Sequence, residues 1–192
     1  MSDLLLAERT VLLHIGPYKT GTTALQGALK KARPAMAEHG VVYAGRERQH
    51  MNAALAVRGK NGLPGDPPPP ISHWNRLVKQ VNAASDKRVI VSSEFFTEST
   101  SEMARKVVEA LGGQRVHILV TLRSLAKLLP SSWQQYVRNG QRASYDEWLD
   151  GMLRTPPYKK TDPVVLETPP PRCSRRAMGI DRRTGEPHGR RR

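Results

Sequence analysis

The residues from Val11 to Thr23 limit most strongly what this chain can become, because an apolar run there passes through a glycine-bounded turn into a helical pattern. Val11, Leu12, Leu13, His14 and Ile15 form a short, partly β-branched stretch that ends at Gly16, the pattern of a buried strand. From Thr22 to about Glu38 the period is helical, with Ala24, Leu25, Ala28, Leu29 and Ala32 on one face. Between them runs Gly16-Pro17-Tyr18-Lys19-Thr20-Gly21-Thr22-Thr23. A glycine-containing turn at such a junction lets backbone N–H groups converge on an anion, and the helix N-terminus adds partial positive charge. Lys19 supplies a mobile cation, and Thr22 and Thr23 supply short hydroxyl donors. A Walker A loop carries its lysine directly after the second glycine. Lys19 instead comes two residues before Gly21, and no Walker-type aspartate is evident to hold magnesium. The loop is expected to hold a phosphate without the usual ATPase arrangement.

The remaining pattern repeats this alternation. Gly40 stops the first helix, Val41 to Tyr43 reads as a second strand, and a helical stretch from His50 to Arg58 runs into a Pro/Gly loop over 62–70. A helix from Ser72 to Ala84 follows, with Ser72 as its expected N-cap. Arg88 to Ser92 is the third strand, Ser99 to Leu111 a helix closed by Gly112 and Gly113, and Arg115 to Leu122 the fourth strand, with the strongest apolar run. Helices over Leu125–Arg138 and Tyr145–Leu153 complete the pattern. Alternating strands and helices predict an α/β fold, a parallel sheet covered on both faces in three α/β/α layers. Ligands of such sheets sit at the carboxyl ends of the strands, where the unusual polar residues of this chain also fall.

The folded region is expected to span residues 1–154. From Thr155 to Arg192 the chain turns Pro- and Arg-rich with little apolar periodicity, which predicts a disordered tail. That tail holds nearly half of the net charge of +14, so the charge says less about the folded part than its size suggests. A basic balance favours anionic partners without choosing among them. Cys173 is the single cysteine, which excludes an intramolecular disulfide and a cysteine-based zinc cluster. No apolar run approaches the roughly 20 residues that span a bilayer, and Met1 to Thr10 lacks the marks of a secretory signal. A cytoplasmic protein without a membrane span is the expectation.

Three positions carry candidate chemistry. The first is the loop itself. The second is Arg123, which follows strand four; a guanidinium fork suits phosphate oxygens. The third is Glu94, a carboxylate at the end of strand three. Glu98 is its nearest rival. Ser92 and Ser93 are candidate cofactor contacts, and His14 and His117 read as core or sheet-face histidines.

Lys19-Thr20-Gly21-Thr22-Thr23 resembles the phosphosulfate-binding loop of the sulfotransferase superfamily, commonly Pro-Lys-Ser/Thr-Gly-Thr-Thr. The Arg123–Ser131 spacing resembles that family's 3'-phosphate signature. Ser132-Trp133-Gln134-Gln135-Tyr136 resembles the continuation in bacterial sulfotransferase-like proteins, where this helix borders the acceptor pocket. The resemblance implies a P-loop-like fold and 3'-phosphoadenosine 5'-phosphosulfate as co-substrate. It also implies sulfuryl transfer to an acceptor hydroxyl or amine by in-line displacement without metal, with carbohydrate the favoured acceptor and a lipid or small-molecule hydroxyl next. It gives Lys19, Thr20, Gly21, Thr22 and Thr23 the 5'-phosphate, Arg123 and Ser131 the 3'-phosphate, and Lys19 a catalytic role beside Glu94. The match covers Val11 to Leu153 and then ceases. The family's further helices and its basic, glycine-containing closing loop have no counterpart, so the fold is expected to be truncated or altered at its C-terminus, with activity left open. Two alternatives stand beside it: a P-loop nucleotide kinase or NTPase, and a polyanion binder acting through the basic tail. No specific nucleic-acid partner is expected, since no aromatic platform is interleaved with the basic residues.

Overall fold

The computed structural model describes residues 6–62 and 65–154; the basic segment read as a disordered tail lies outside the described residues. Among them are four strands, β1 (Val11–Ile15), β2 (Val41–Tyr43), β3 (Arg88–Ser92) and β4 (Val116–Val120). Seven α-helices accompany them: α1 (Thr22–Lys31), α2 (Arg33–Glu38), α3 (Met51–Arg58), α4 (Ser72–Ala83), α5 (Ser101–Leu111), α6 (Leu125–Arg138) and α7 (Tyr145–Arg154). The protein is α/β. Its sheet has the order β2-β3-β1-β4, and every pairing is parallel. β1 therefore lies between β3 and β4, where the strand order reverses, the position at which such sheets commonly bind their ligands.

The chain divides into two compact units, residues 1–128 and 129–192. In the first, β1 and β3 are the inner strands. Val11 pairs with Val89 and Leu13 with Val91, and all four side chains are buried with Ala54 of α3, Trp74, Leu77 and Val81 of α4, and Val107 and Leu111 of α5. Burying each of these larger aliphatic side chains contributes roughly 1.5–3 kcal/mol. Strand alternation then sends His14 and Ser92 to the opposite face, where both are buried. In the second unit, Trp133, Tyr136, Tyr145 and Trp148 form an aromatic cluster with centroids 5.7–6.1 Å apart. Ser144 and Glu147 make a reciprocal capping box at the start of α7, the Ser144 amide donating to Glu147 Oε2 (2.8 Å) and the Glu147 amide to Ser144 Oγ (3.3 Å).

Several elements depart from the sequence reading. The helix expected over 22–38 is two, broken at Ala32, because Pro34 enters the first turn of α2 and cannot continue the α1 ladder. Ala24 and Ala28 of the expected apolar face are exposed, whereas Thr22 and Gln26 are buried. Ser72 is the first helical residue of α4 rather than its N-cap. At α5 the N-cap is Thr100, whose hydroxyl accepts from the Met103 amide. Most unexpectedly, β4, the strongest strand signal, forms the outer edge of the sheet, and Ile118, Leu119 and Val120 are all exposed.

Candidate functional site

The connection from β1 to α1 is shaped by two residues with left-handed backbone, Lys19 (φ 69°) and Gly21 (φ 95°). Glycine adopts this region freely, but lysine does not, so the loop imposes the conformation on Lys19. Gly21 is also the N-cap of α1; no side chain caps this terminus and no acid stands in its first turn. The loop is anchored at its base by Thr97, whose hydroxyl donates to Gly16 O (3.0 Å) and accepts from Gly16 N (3.1 Å). Gly16 must be glycine for a different reason. A Cβ there would stand 2.5 Å from Thr121 Oγ1 and 2.7 Å from Thr121 O.

Thr20 turns its hydroxyl inward, donating to Pro17 O at 2.8 Å. Its neighbour Thr121 Oγ1, 3.2 Å away, must then be the donor between the two hydroxyls. Thr121 stands 3.2 Å from His14 Nε2, and His14 Nδ1 stands 2.7 Å from Ser92 Oγ. Ser92 Oγ in turn accepts from Gln26 Nε2 (3.2 Å), which donates its other hydrogen to Glu94 Oε2 (3.0 Å). One proton assignment runs through these contacts as Gln26 to Ser92 to His14 Nδ1, then His14 Nε2–H to Thr121, to Thr20, to Pro17 O, with Thr121 Oγ1 also 3.5 Å from Ile15 O. In that assignment His14 is neutral, with its proton on Nε2. Burial lowers its pKa, an effect partly opposed by the Glu94 charge. A continuous polar chain thus joins the loop after β1 to the carboxylate after β3.

Glu94 is half-buried and opens a 3-10 turn over Glu94–Phe96. In the orientation of the Gln49 amide that satisfies both its ends, its nitrogen donates to Glu94 Oε1 (3.2 Å) and Oε2 (3.0 Å) and to Gln26 Oε1 (3.3 Å). Two uncharged amides therefore grip one carboxylate. Glu98 is engaged elsewhere, paired with Arg58 Nη2 at 2.9 Å. It also binds the hydroxyl of Tyr18, whose pKa is raised well above the usual range by burial first and by the Glu98 carboxylate second. Tyr18 packs edge-on against Phe95 at 5.5 Å, tying the loop to the same turn.

Arg123 is exposed and reaches the loop, its Nη1 donating to Lys19 O at 3.1 Å. Gly21 and Thr23 are exposed and Thr22 is buried. Ser131 lies in the part of α6 that belongs to the second unit and is half-buried there. Ser92 and Ser93, the candidate cofactor contacts, are both fully buried, Ser92 within the polar chain and Ser93 as the cap that accepts from the Phe95 amide (3.3 Å). His14 sits on the sheet face as expected, whereas His117 is exposed on β4. Sequence reasoning missed Gln26, Gln49, Thr97 and Thr121. Gln26 alone gave a faint signal, an amide inside an otherwise small and apolar helical stretch.

Fold and site together define an α/β protein with a lysine-bearing, glycine-bounded loop at the carboxyl end of a parallel sheet. No family model, curated protein or solved structure matches the chain. Among the described residues, no group of three or more His, Cys, Asp or Glu is placed to hold a metal ion, and no helix is long and apolar enough to cross a membrane.

Proposed function

We propose that the chain has a sulfotransferase-like, P-loop-type fold and transfers a sulfuryl group from 3'-phosphoadenosine 5'-phosphosulfate to an acceptor hydroxyl or amine, a carbohydrate first among them. One observation carries the reading: Lys19, held in a left-handed conformation beside an uncapped helix terminus, has the Arg123 guanidinium on its own carbonyl. The Arg123 guanidinium, the backbone of Lys19 and the uncapped N-terminus of α1 thus come together at the carboxyl end of β1, and a doubly phosphorylated nucleotide matches that chemistry.

The donor, when bound, supplies an electrophilic sulfur whose bond to the bridging phosphate oxygen breaks as the acceptor atom bonds to it. Lys19, Gly21, Thr22 and Thr23 hold the 5'-phosphate, and Lys19 stabilises the charge that develops on the departing oxygen. Thr20 braces the loop from within. Arg123 takes the 3'-phosphate. Glu94 accepts the acceptor's proton, its carboxylate oriented by Gln26 and Gln49. Glu98 is a poorer base because Arg58 and Tyr18 already hold it.

Replacing the two carboxylates separately tests these roles. With oligosaccharide acceptors, Glu94→Gln is expected to lower transfer by about 10²–10⁴-fold while binding of 3'-phosphoadenosine 5'-phosphate is retained. Glu98→Gln is expected to leave the rate within a few-fold. The opposite ranking would move the base to Glu98, and magnesium-dependent ATP binding at least as tight as that of the bisphosphate would replace the reading with a kinase.

A further inference from the structure

A cleft of about 520 Å³ lies between the β2–α3 connection and α4, lined among others by Arg46, Arg48, Gln49, His73 and Arg76. Its size falls in the range of roughly 300–1,000 Å³ typical of small-ligand sites. The connection that forms one wall is held from behind. Arg33 donates to the carbonyls of Tyr43 (3.2 Å), Arg46 (3.0 Å) and Glu47 (2.6 Å), and the Tyr43 hydroxyl donates to Arg48 O. The Gly45 amide donates to Gln80 Oε1 of α4 at 3.0 Å. These bonds occupy the backbone of the connection and fix its path, while Arg46 and Arg48 remain exposed.

Gln49 of the same connection both lines the cleft and donates to the Glu94 carboxylate. The cleft therefore ends one hydrogen bond from the base. Its other wall carries Arg76, exposed, and His73, three residues apart on one face of α4. Three guanidinium groups face a single carboxylate, Glu47, and the large apolar lining is limited to Met51 and Leu77. Such a surface combines apolar area with basic groups. It suits a hydroxyl-rich ligand with planar anionic groups, which guanidinium forks bind bidentately.

We propose that this cleft is the acceptor site and that its acceptor is an acidic saccharide, held through its carboxylate or sulfate groups by Arg46, Arg48 and Arg76, with one hydroxyl directed to Glu94 past Gln49. The proposal rests on the sulfuryl-transfer reading and adds to it the class of acceptor.

The test is calorimetry on the full chain saturated with 3'-phosphoadenosine 5'-phosphate. The probes are a tetrasaccharide of alternating uronic acid and N-acetylhexosamine, and the same tetrasaccharide with its carboxyl groups reduced to alcohols. The wild type is expected to bind the acidic form about ten-fold more tightly, and Arg46→Gln/Arg76→Gln to abolish that preference while its affinity for the bisphosphate is unchanged. Equal affinity for the two tetrasaccharides overturns the proposal. So does a preference that survives in the double variant, because the basic tail is present in both proteins and would then be its source. A wild type that fails to bind the bisphosphate at all overturns the sulfuryl-transfer reading instead, and the two failures are read in separate titrations.

Discussion

Gln26 serves two acceptors with one amide nitrogen, Ser92 Oγ and the Glu94 carboxylate, which it shares with Gln49. The side chain is fully buried, so its loss leaves polar groups that water replaces poorly. Gln26→Leu keeps the volume and removes both donors. It is expected to lower unfolding free energy by about 1–3 kcal/mol in urea melts. In the proposed reaction it should also reduce turnover with little change in nucleotide affinity, since it removes one of the two amides that orient Glu94 and leaves the loop after β1 in place. Unchanged turnover in a folded Gln26→Leu protein would remove the positioning role. At this scale the sequence shows charge more readily than it shows neutral amides. Lys19, Glu94 and Arg123 stand out by residue type and by position at strand ends. Gln26, Gln49, Thr97 and Thr121 do not, because their value lies in partners distant along the chain, 66 residues for Gln26 with Ser92 and 101 for Thr121 with Thr20.

At the scale of elements, the order of strands and helices is legible from periodicity, but their surroundings are not. The Ala/Leu face of α1 looks like the buried one, yet Ala24 and Ala28 are exposed and the polar pair Thr22 and Gln26 is buried. Periodicity reports which face is apolar; it carries no record of a polar chain waiting on the sheet below. β4 fails in the opposite sense. Its apolar run is that of a central strand, and nothing in the run itself reveals that only β1 pairs with it among the described residues. Two glycines separate packing from backbone freedom. Gly16→Ala is expected to cost about 1–3 kcal/mol, because its Cβ would meet Thr121 at 2.5 Å and force β4 or the loop aside. Gly27→Ala, inside α1 with nothing within 4 Å of the new Cβ, is expected to stabilise by about 0.5–1 kcal/mol. Thermal melts of the two variants should therefore shift in opposite directions.

For the molecule as a whole, two buried histidines link stability to pH. His50 Nδ1 accepts from the Ser92 amide (3.0 Å), leaving its Nε2–H to donate to Ala44 O (2.8 Å), so the ring bridges the ends of β2 and β3 in its neutral form. Burial lowers the pKa of His50 and of His14 below the ordinary value of 6.5. Below that value the unfolded chain binds more protons than the native one, so this stability is fully present above about pH 6.5 and is lost as pH falls through the native pKa values. Urea midpoints should be level near pH 7.5 and fall by about pH 5.5, with a shallower fall in His50→Gln. A midpoint that does not move over this interval would contradict the neutral assignments.

The measurement that bears most directly on the account is calorimetric binding of 3'-phosphoadenosine 5'-phosphate and of adenosine 5'-phosphate to the wild type, Lys19→Ala and Arg123→Gln. The wild type should prefer the bisphosphate by about ten-fold, one charge-assisted contact being the difference. Lys19→Ala should bind both nucleotides weakly, and Arg123→Gln should keep the monophosphate and lose the preference. A Lys19→Ala protein that binds the bisphosphate as the wild type does would contradict the assignment of residues 16–23 as the phosphate site, and the proposed reaction with it.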